Sequence, residues 1–145
     1  MGEIKAKLNT GGTRKNGEIR TFIIQEYIDK PLLFKKRKFD FRCFLLLTSV
    51  NGCLKAYWYE EGYIRTSCVD FSTRKLDNKY IHLTNDAVQK HCQDYGKFEN
   101  GNKISFIEFE KFCDSNQIDF HEKLLEKMKD LASHAIKSVI GKIDP

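Results

Sequence analysis

The sequence predicts an α+β fold in which a mainly antiparallel, twisted sheet comes first and helices packed on it follow. Three observations predict this order. Asn51-Gly52 stands between apolar runs in "SVNGCLK", the strongest short-range hairpin signal a sequence can carry. Runs rich in β-branched and aromatic residues, broken by turn residues, extend from Thr21 to about Lys79, and apolar residues recur at helical spacing after it. Phe120, Leu124, Met128 or Leu131, Ala135, Val139 and Ile143 form a stripe that an amphipathic helix of ~20 to 24 residues gathers on one side.

Residues 1–20 read as a loop or an incomplete N-terminal part, because "NTGGTRKNG" is turn chemistry without an apolar period. From Thr21 to Ile28, "TFIIQEYI" is rich in β-branched and aromatic side chains and predicts a buried strand, closed by a turn at Asp29, Lys30 and Pro31. "RKFDFRCFLLL", Arg37 to Leu47, predicts a second strand, and the preceding "KKRK" a solvated turn. "LKAYWYEEGYIRTS" reads as strand, Glu-Gly turn and strand. Beyond it, Thr84, Asn85 or Asp86 would cap a helix through "DAVQKHC". Ser105 with Glu108 forms a capping box ahead of Phe106, Phe109 and Phe112 or Cys113 on one helical face.

Length and composition bound the function. A chain of 145 residues with 41% hydrophobic and 12% aromatic side chains can bury one core, which argues against disorder and demands no second domain. The net charge of +5 favours an acidic partner only weakly. Five scattered cysteines give neither a zinc framework nor a disulfide scaffold and suit a reducing cytosol. No apolar run approaches the ~20 residues of a membrane helix, and Ala6 stands where a myristoylation signal prefers Ser or Thr. No membrane association is therefore expected. Tyr57, Trp58 and Tyr59 among basic residues hint at a stacking platform for single-stranded nucleic acid. Adjacent strand residues face opposite sides, so they cannot all stack together, and no nucleic-acid partner is expected.

The second strand opens with charges. Lys38, Asp40 and Arg42 fall on one face while Phe39, Phe41 and Cys43 fall on the other. A solvated edge would explain them, as a surface salt bridge to Glu60 or Glu61 would explain Arg65. Their neighbours argue otherwise. "QEYIDKPLLF", "RKFDFR", the Gly-x-x-Arg of "EEGYIRTS", "HLTND" and "QDYGKFENGNKISFIEFEKF" occur in one order and resemble the tubulin tyrosine ligase-like family from about Thr21 to the last residue.

The resemblance implies an ATP-grasp fold, here as a partial domain over residues 21–145, that uses ATP and Mg2+ to join an amino acid to a tubulin tail through an acyl-phosphate. It implies that Gln25, Glu26, Tyr27 and Ile28 hold the adenine on a hinge strand. Lys38, Phe39, Asp40, Thr84 and Asn85 would lie near the nucleotide, and Arg42 would face the phosphates or the acidic tail. Arg65 is the expected catalytic residue, clamping a substrate carboxylate with two parallel hydrogen bonds near the γ-phosphate. His82 is expected to be supporting structure. The expected partners are tubulin or microtubule tails and a free amino acid, in the cytoplasm, the cytoskeleton, or the cilium or basal body.

Two departures qualify the resemblance. Asp86 follows the Thr-Asn pair where relatives often carry Tyr, so tyrosine, glutamate and glycine all stay open as the amino acid transferred. The family's phosphate lysine and Gly-rich segment lie upstream of its hinge strand, and its magnesium-binding Asp, Glu and Asn lie downstream of the last helix. The chain is thus expected to be a central fragment without the metal ligands, inactive alone. A noncatalytic module that binds nucleotide or tubulin tails is the alternative.

Overall fold

A computed structural model describes residues 24–143, which fall into two units that divide after Lys30. In the first unit Ile24 to Ile28 are exposed and have no strand pairing among the described residues; a bend follows at Asp29 and Lys30. The expected buried strand is therefore absent over these five positions, and Thr21 to Ile23 lie outside the described residues. A strand exists through its neighbours, and β-branched composition alone supplies none.

The second unit holds five strands: β1 Arg37–Arg42, β2 Leu45–Val50, β3 Cys53–Trp58, β4 Tyr63–Asp70 and β5 Lys103–Ser105. All pairings are antiparallel, but they make two sheets, β1-β4-β5 and β2-β3, where the sequence suggested one. The expected strand from Arg37 to Leu47 breaks at Cys43 and Phe44. Arg42 already pairs with Tyr63, the first residue of β4, so the chain beyond it has nothing left to pair with on that side. Phe44 accepts from the Tyr59 amide instead (3.0 Å), and the strand continues beside β3.

The β2-β3 connection is the Asn51-Gly52 turn, with φ of 52° and 73° as a two-residue hairpin of this type requires. A second tight turn joins Phe34 to Arg37 through reciprocal backbone hydrogen bonds of 2.9 Å. It places Lys35 and Lys36 at φ 47° and 67°, where side chains with a Cβ are strained. Lys35 and Lys36 thus form the expected solvated turn, but Arg37 and Lys38 already belong to β1 and Arg37 is buried, because its guanidinium finds partners inside the fold.

Alternation on β1 and β4 puts Phe39, Phe41 and Ile64 on one side of the sheet. Helix α3, Phe106–Ser115, covers that side; Ser105 accepts from the Glu108 amide at its start (3.2 Å). Phe109 and Cys113 are fully buried against Phe34, Ile64, Ile104 and Phe120. Ring contacts of 5.0 Å (Phe39 to Phe109) and 5.2 Å (Phe41 to Phe109) make this a largely aromatic core.

A π-helical segment, Phe120–Leu125, leads into helix α4, Glu126–Ile143, in place of one regular helix. The predicted stripe divides between these elements. Phe120, Leu124 and Met128 reach the core, whereas Leu131 and Val139 are exposed and no residue of α4 is buried. Helix α4 instead faces the β2-β3 hairpin across a groove of about 350 Å³ lined by Leu45, Trp58, Ile136 and Ile140 among others. The extra residue of the π segment shifts the register of the face that follows it.

Two short α-helices, α1 Lys79–His82 and α2 Asp86–Gln89, and a 3-10 turn at Asn100–Asn102 complete the unit. Thr84 and Asn85 therefore lie between two helices, where the sequence suggested a strand and a helix.

Candidate functional site

Asp40 and Arg65 are directly opposite each other on β1 and β4, and Arg65 is opposite Lys103 on β5. Opposed residues share a face, so these three form a row across the side of the sheet away from the aromatic core. Asp40 is the hub. Its Oδ1 accepts from Arg65 Nε (2.8 Å) and its Oδ2 from Arg65 Nη2 (3.0 Å), and Thr84 Oγ1 donates to the same Oδ2. The two-point ion pair pushes the Arg65 pKa above its ordinary value, chiefly through the hydrogen bonds to Asp40.

Three segments far apart in sequence thus meet at one carboxylate. Arg65 pairs with Asp40 across the sheet, not with Glu60 or Glu61. Arg42 is exposed, its guanidinium 5.4 Å from the Phe44 ring centre, while Lys38 is half-buried and its amide donates to Ser67 Oγ (3.1 Å). The Phe39 side chain belongs to the core face. Asn85 occupies the N-cap of α2 without a side-chain cap bond, and the Thr84 hydroxyl goes to Asp40 instead of capping. His82 contacts the Lys75 carbonyl (2.9 Å), as a supporting residue does. Gln25, Glu26, Tyr27 and Ile28 belong to the first unit and are exposed there.

Gly62 explains the glycine of the Gly-x-x-Arg motif. A Cβ there would lie 2.6 Å from the Arg42 carbonyl oxygen, so only glycine lets β4 begin this close to the end of β1. Arg65 gains its register from that approach.

The supporting layer was not legible as a site. Arg37, 2% exposed, is a charge the face alternation left unassigned. Its guanidinium donates to Glu99 Oε2 (2.8 Å) and to Glu99 Oε1, to Thr66 Oγ1 (3.1 Å) and to the Ser67 carbonyl (3.2 Å). Thr66 in turn donates to Glu99 (3.0 Å), and Asn102 Nδ2 donates to the Thr66 carbonyl (3.1 Å). Phe98 stacks on Arg37 at 4.4 Å. Gln89, 1% exposed, accepts from the Cys68 amide (2.8 Å) and donates to the carbonyls of Tyr80 (3.2 Å) and Leu83. These contacts fasten the Thr84-Asn85 corner to β4. Nothing local marked them in sequence, since Arg37 stands in the basic run of residues 35–38 and Gln89 directly before Lys90 and His91, and partners 62 and 21 positions away cannot be read from spacing.

Asp86 Oδ1 accepts from the Tyr95 hydroxyl (2.5 Å) and lies 3.8 Å from Lys103 Nζ. The Tyr95 bond is the main reason the Asp86 carboxyl is held below its ordinary range, and it pushes the Tyr95 phenol up to about 12. Burial raises the thiols of Cys43, Cys68 and Cys113, which disfavours their nucleophilic thiolate form. Among the described residues no three His, Cys, Asp or Glu gather as a metal site, and no helix is long and apolar enough to cross a membrane.

The model of the tubulin-tyrosine ligase family matches residues 3–142, nearly the whole chain. The chain belongs to the tubulin-tyrosine ligase family. Among its relatives, tubulin glycylase 3D of Tetrahymena thermophila is 40% identical over 93 residues, which cover 62% of this chain and 9% of that protein. Tubulin glycylase 3B of the same organism is 31% identical over 126 residues, 84% of this chain and 10% of that protein. The probable tubulin polyglutamylase ttll-9 of Caenorhabditis elegans is 35% identical over 122 residues, 84% of this chain and 28% of that protein. The chain thus spans less than a third of the length of each of these curated relatives.

Proposed function

We propose that the chain is part of an ATP-dependent carboxylate-amine ligase that adds tyrosine, glutamate or glycine to tubulin tails. The observation that carries this reading is the meeting of Asp40, Arg65 and Thr84, residues of three family-like motifs, at one carboxylate on a face that also presents Lys103. Homology to glycylases and a probable polyglutamylase supports tubulin as the protein substrate and the cytoskeleton as the place of action.

The polar face suits the phosphate part of ATP, because Lys38, Arg42 and Arg65 offer cations on β1 and β4. When bound, ATP supplies the phosphoryl group that turns a tail carboxylate into an acyl-phosphate, from which an attacking amine displaces phosphate. Arg65, fixed by Asp40, orients a carboxylate with the N–H groups that Asp40 leaves open. Thr84 holds Asp40 from the far side, so the guanidinium cannot swing away with its partner. Gln25, Glu26, Tyr27 and Ile28 would take the adenine. Mg2+ belongs to the proposal through the family's chemistry, with its ligands expected outside this stretch, and no step is derived through it.

The test is incorporation of labelled glycine, glutamate or tyrosine into tubulin by the whole protein with ATP and Mg2+. Label covalently retained on tubulin and dependent on ATP is the expected result. Nucleotide binding without incorporation of any of the three would replace the ligase with a binding module.

A further inference from the structure

Asp86 has one oxygen committed and one open. Both Tyr95 and Lys103 address Oδ1, at 2.5 and 3.8 Å, and among the described residues no hydrogen bond reaches Oδ2. At 3.8 Å Lys103 is beyond hydrogen-bond length of Asp86, and its other contact is with the Tyr63 ring (5.8 Å to the centre), which takes no N–H in a hydrogen bond at that distance. The two side chains are 46% and 41% exposed, and Lys103 sits opposite Arg65 on the same face. The arrangement is a fixed anion beside a cation, next to Arg65.

We propose that Asp86 and Lys103 bind the zwitterion of the free amino acid, Asp86 Oδ2 taking its ammonium and Lys103 its carboxylate. This rests on the ligase reading and deepens it by naming where the amine substrate sits. An amino acid carries its two charges one carbon apart, the scale of the separation between Asp86 and Lys103. Tyr95 serves as a positioning residue: its hydroxyl holds Oδ1 and so aims Oδ2, and it also keeps the carboxylate ionised. Asp86 follows the Thr84-Asn85 corner directly, which Asp40 ties to Arg65, so an ammonium held there lies beside the carboxylate to be activated. The pair recognises what all amino acids share; selection among side chains must come from other residues.

The experiment is steady-state incorporation by the whole protein at varied concentrations of whichever amino acid it uses. Asp86→Asn is expected to raise the KM for that amino acid about ten- to hundred-fold, the effect of losing a charge-assisted bond, and to leave the KM for ATP within about twofold. Lys103→Met should raise the KM for the amino acid but not for its amide, which lacks the carboxylate. Tyr95→Phe should give a smaller rise of the same kind and serves if Asp86→Asn does not fold. An unchanged amino-acid KM in these variants, or a parallel rise for ATP and amino acid, overturns the proposal. A wild-type protein that incorporates nothing overturns the ligase reading itself, which separates the two failures.

Discussion

Replacing Glu99 by Gln tests the layer under the site. Arg37 is 2% exposed and Glu99 6%, so the pair sits out of water, and the change leaves a buried guanidinium facing an amide. One of the two hydrogen bonds from Arg37 is lost, because the amide nitrogen cannot accept, and the other falls on a neutral oxygen, while the contacts of Arg37 to Thr66 and to the Ser67 carbonyl remain. Breaking a buried pair from one side costs about 3–5 kcal/mol, against a total stability of about 5–15 kcal/mol for an ordinary domain. At roughly 3–4 °C per kcal/mol for a chain of this size, the melting temperature should fall by about 10–20 °C. Urea unfolding followed by far-UV circular dichroism measures the loss. Arg37→Met with Glu99→Met removes both charges and should be more stable than Glu99→Gln alone, because no uncompensated ion remains. A Glu99→Gln loss below about 1 kcal/mol, the range of a surface pair, would refute the reasoning.

Gly62→Ala should destabilise by about 1–3 kcal/mol, the usual cost of forcing atoms into filled space; an unchanged urea midpoint would show that the approach of β4 to Arg42 is not tight. The phenol of Tyr95 should titrate near 12, visible as the part of the tyrosinate absorbance that Tyr95→Phe removes. Because folding raises this pKa, its stabilising effect is present below about pH 10 and is lost as pH rises from there toward 12. A Tyr95 phenol that titrates with the exposed tyrosines would remove the Asp86 bond from the account.

Much of this was legible in the sequence where the signal is local. The Asn51-Gly52 hairpin, the Ser105 half of the capping box and the Phe106-to-Cys113 helix depend on residues within a few positions of one another, and each formed. The partition of the strands into two sheets was not legible, since it turns on where β4 begins, which Gly62 and a distant carbonyl decide. Strand composition overpredicted Ile24 to Ile28 for the same reason: pairing partners are not encoded in the segment itself. Among site residues, alternation put Lys38, Asp40 and Arg42 on one face. It could not say that Asp40 would join Arg65 to Thr84, because contacts across 25 and 44 positions are set by sheet register and by the Gln89 anchor.

The most direct test of the Asp40 hub is the rate of amino-acid incorporation by the whole protein carrying Asp40→Asn. Asparagine keeps the shape and removes the charge that fixes Arg65. A rate reduced by about two orders of magnitude, with a melting temperature within a few degrees of wild type, is the expected result for a lost orienting contact. A rate within threefold of wild type would contradict the claim that Asp40 assembles this site.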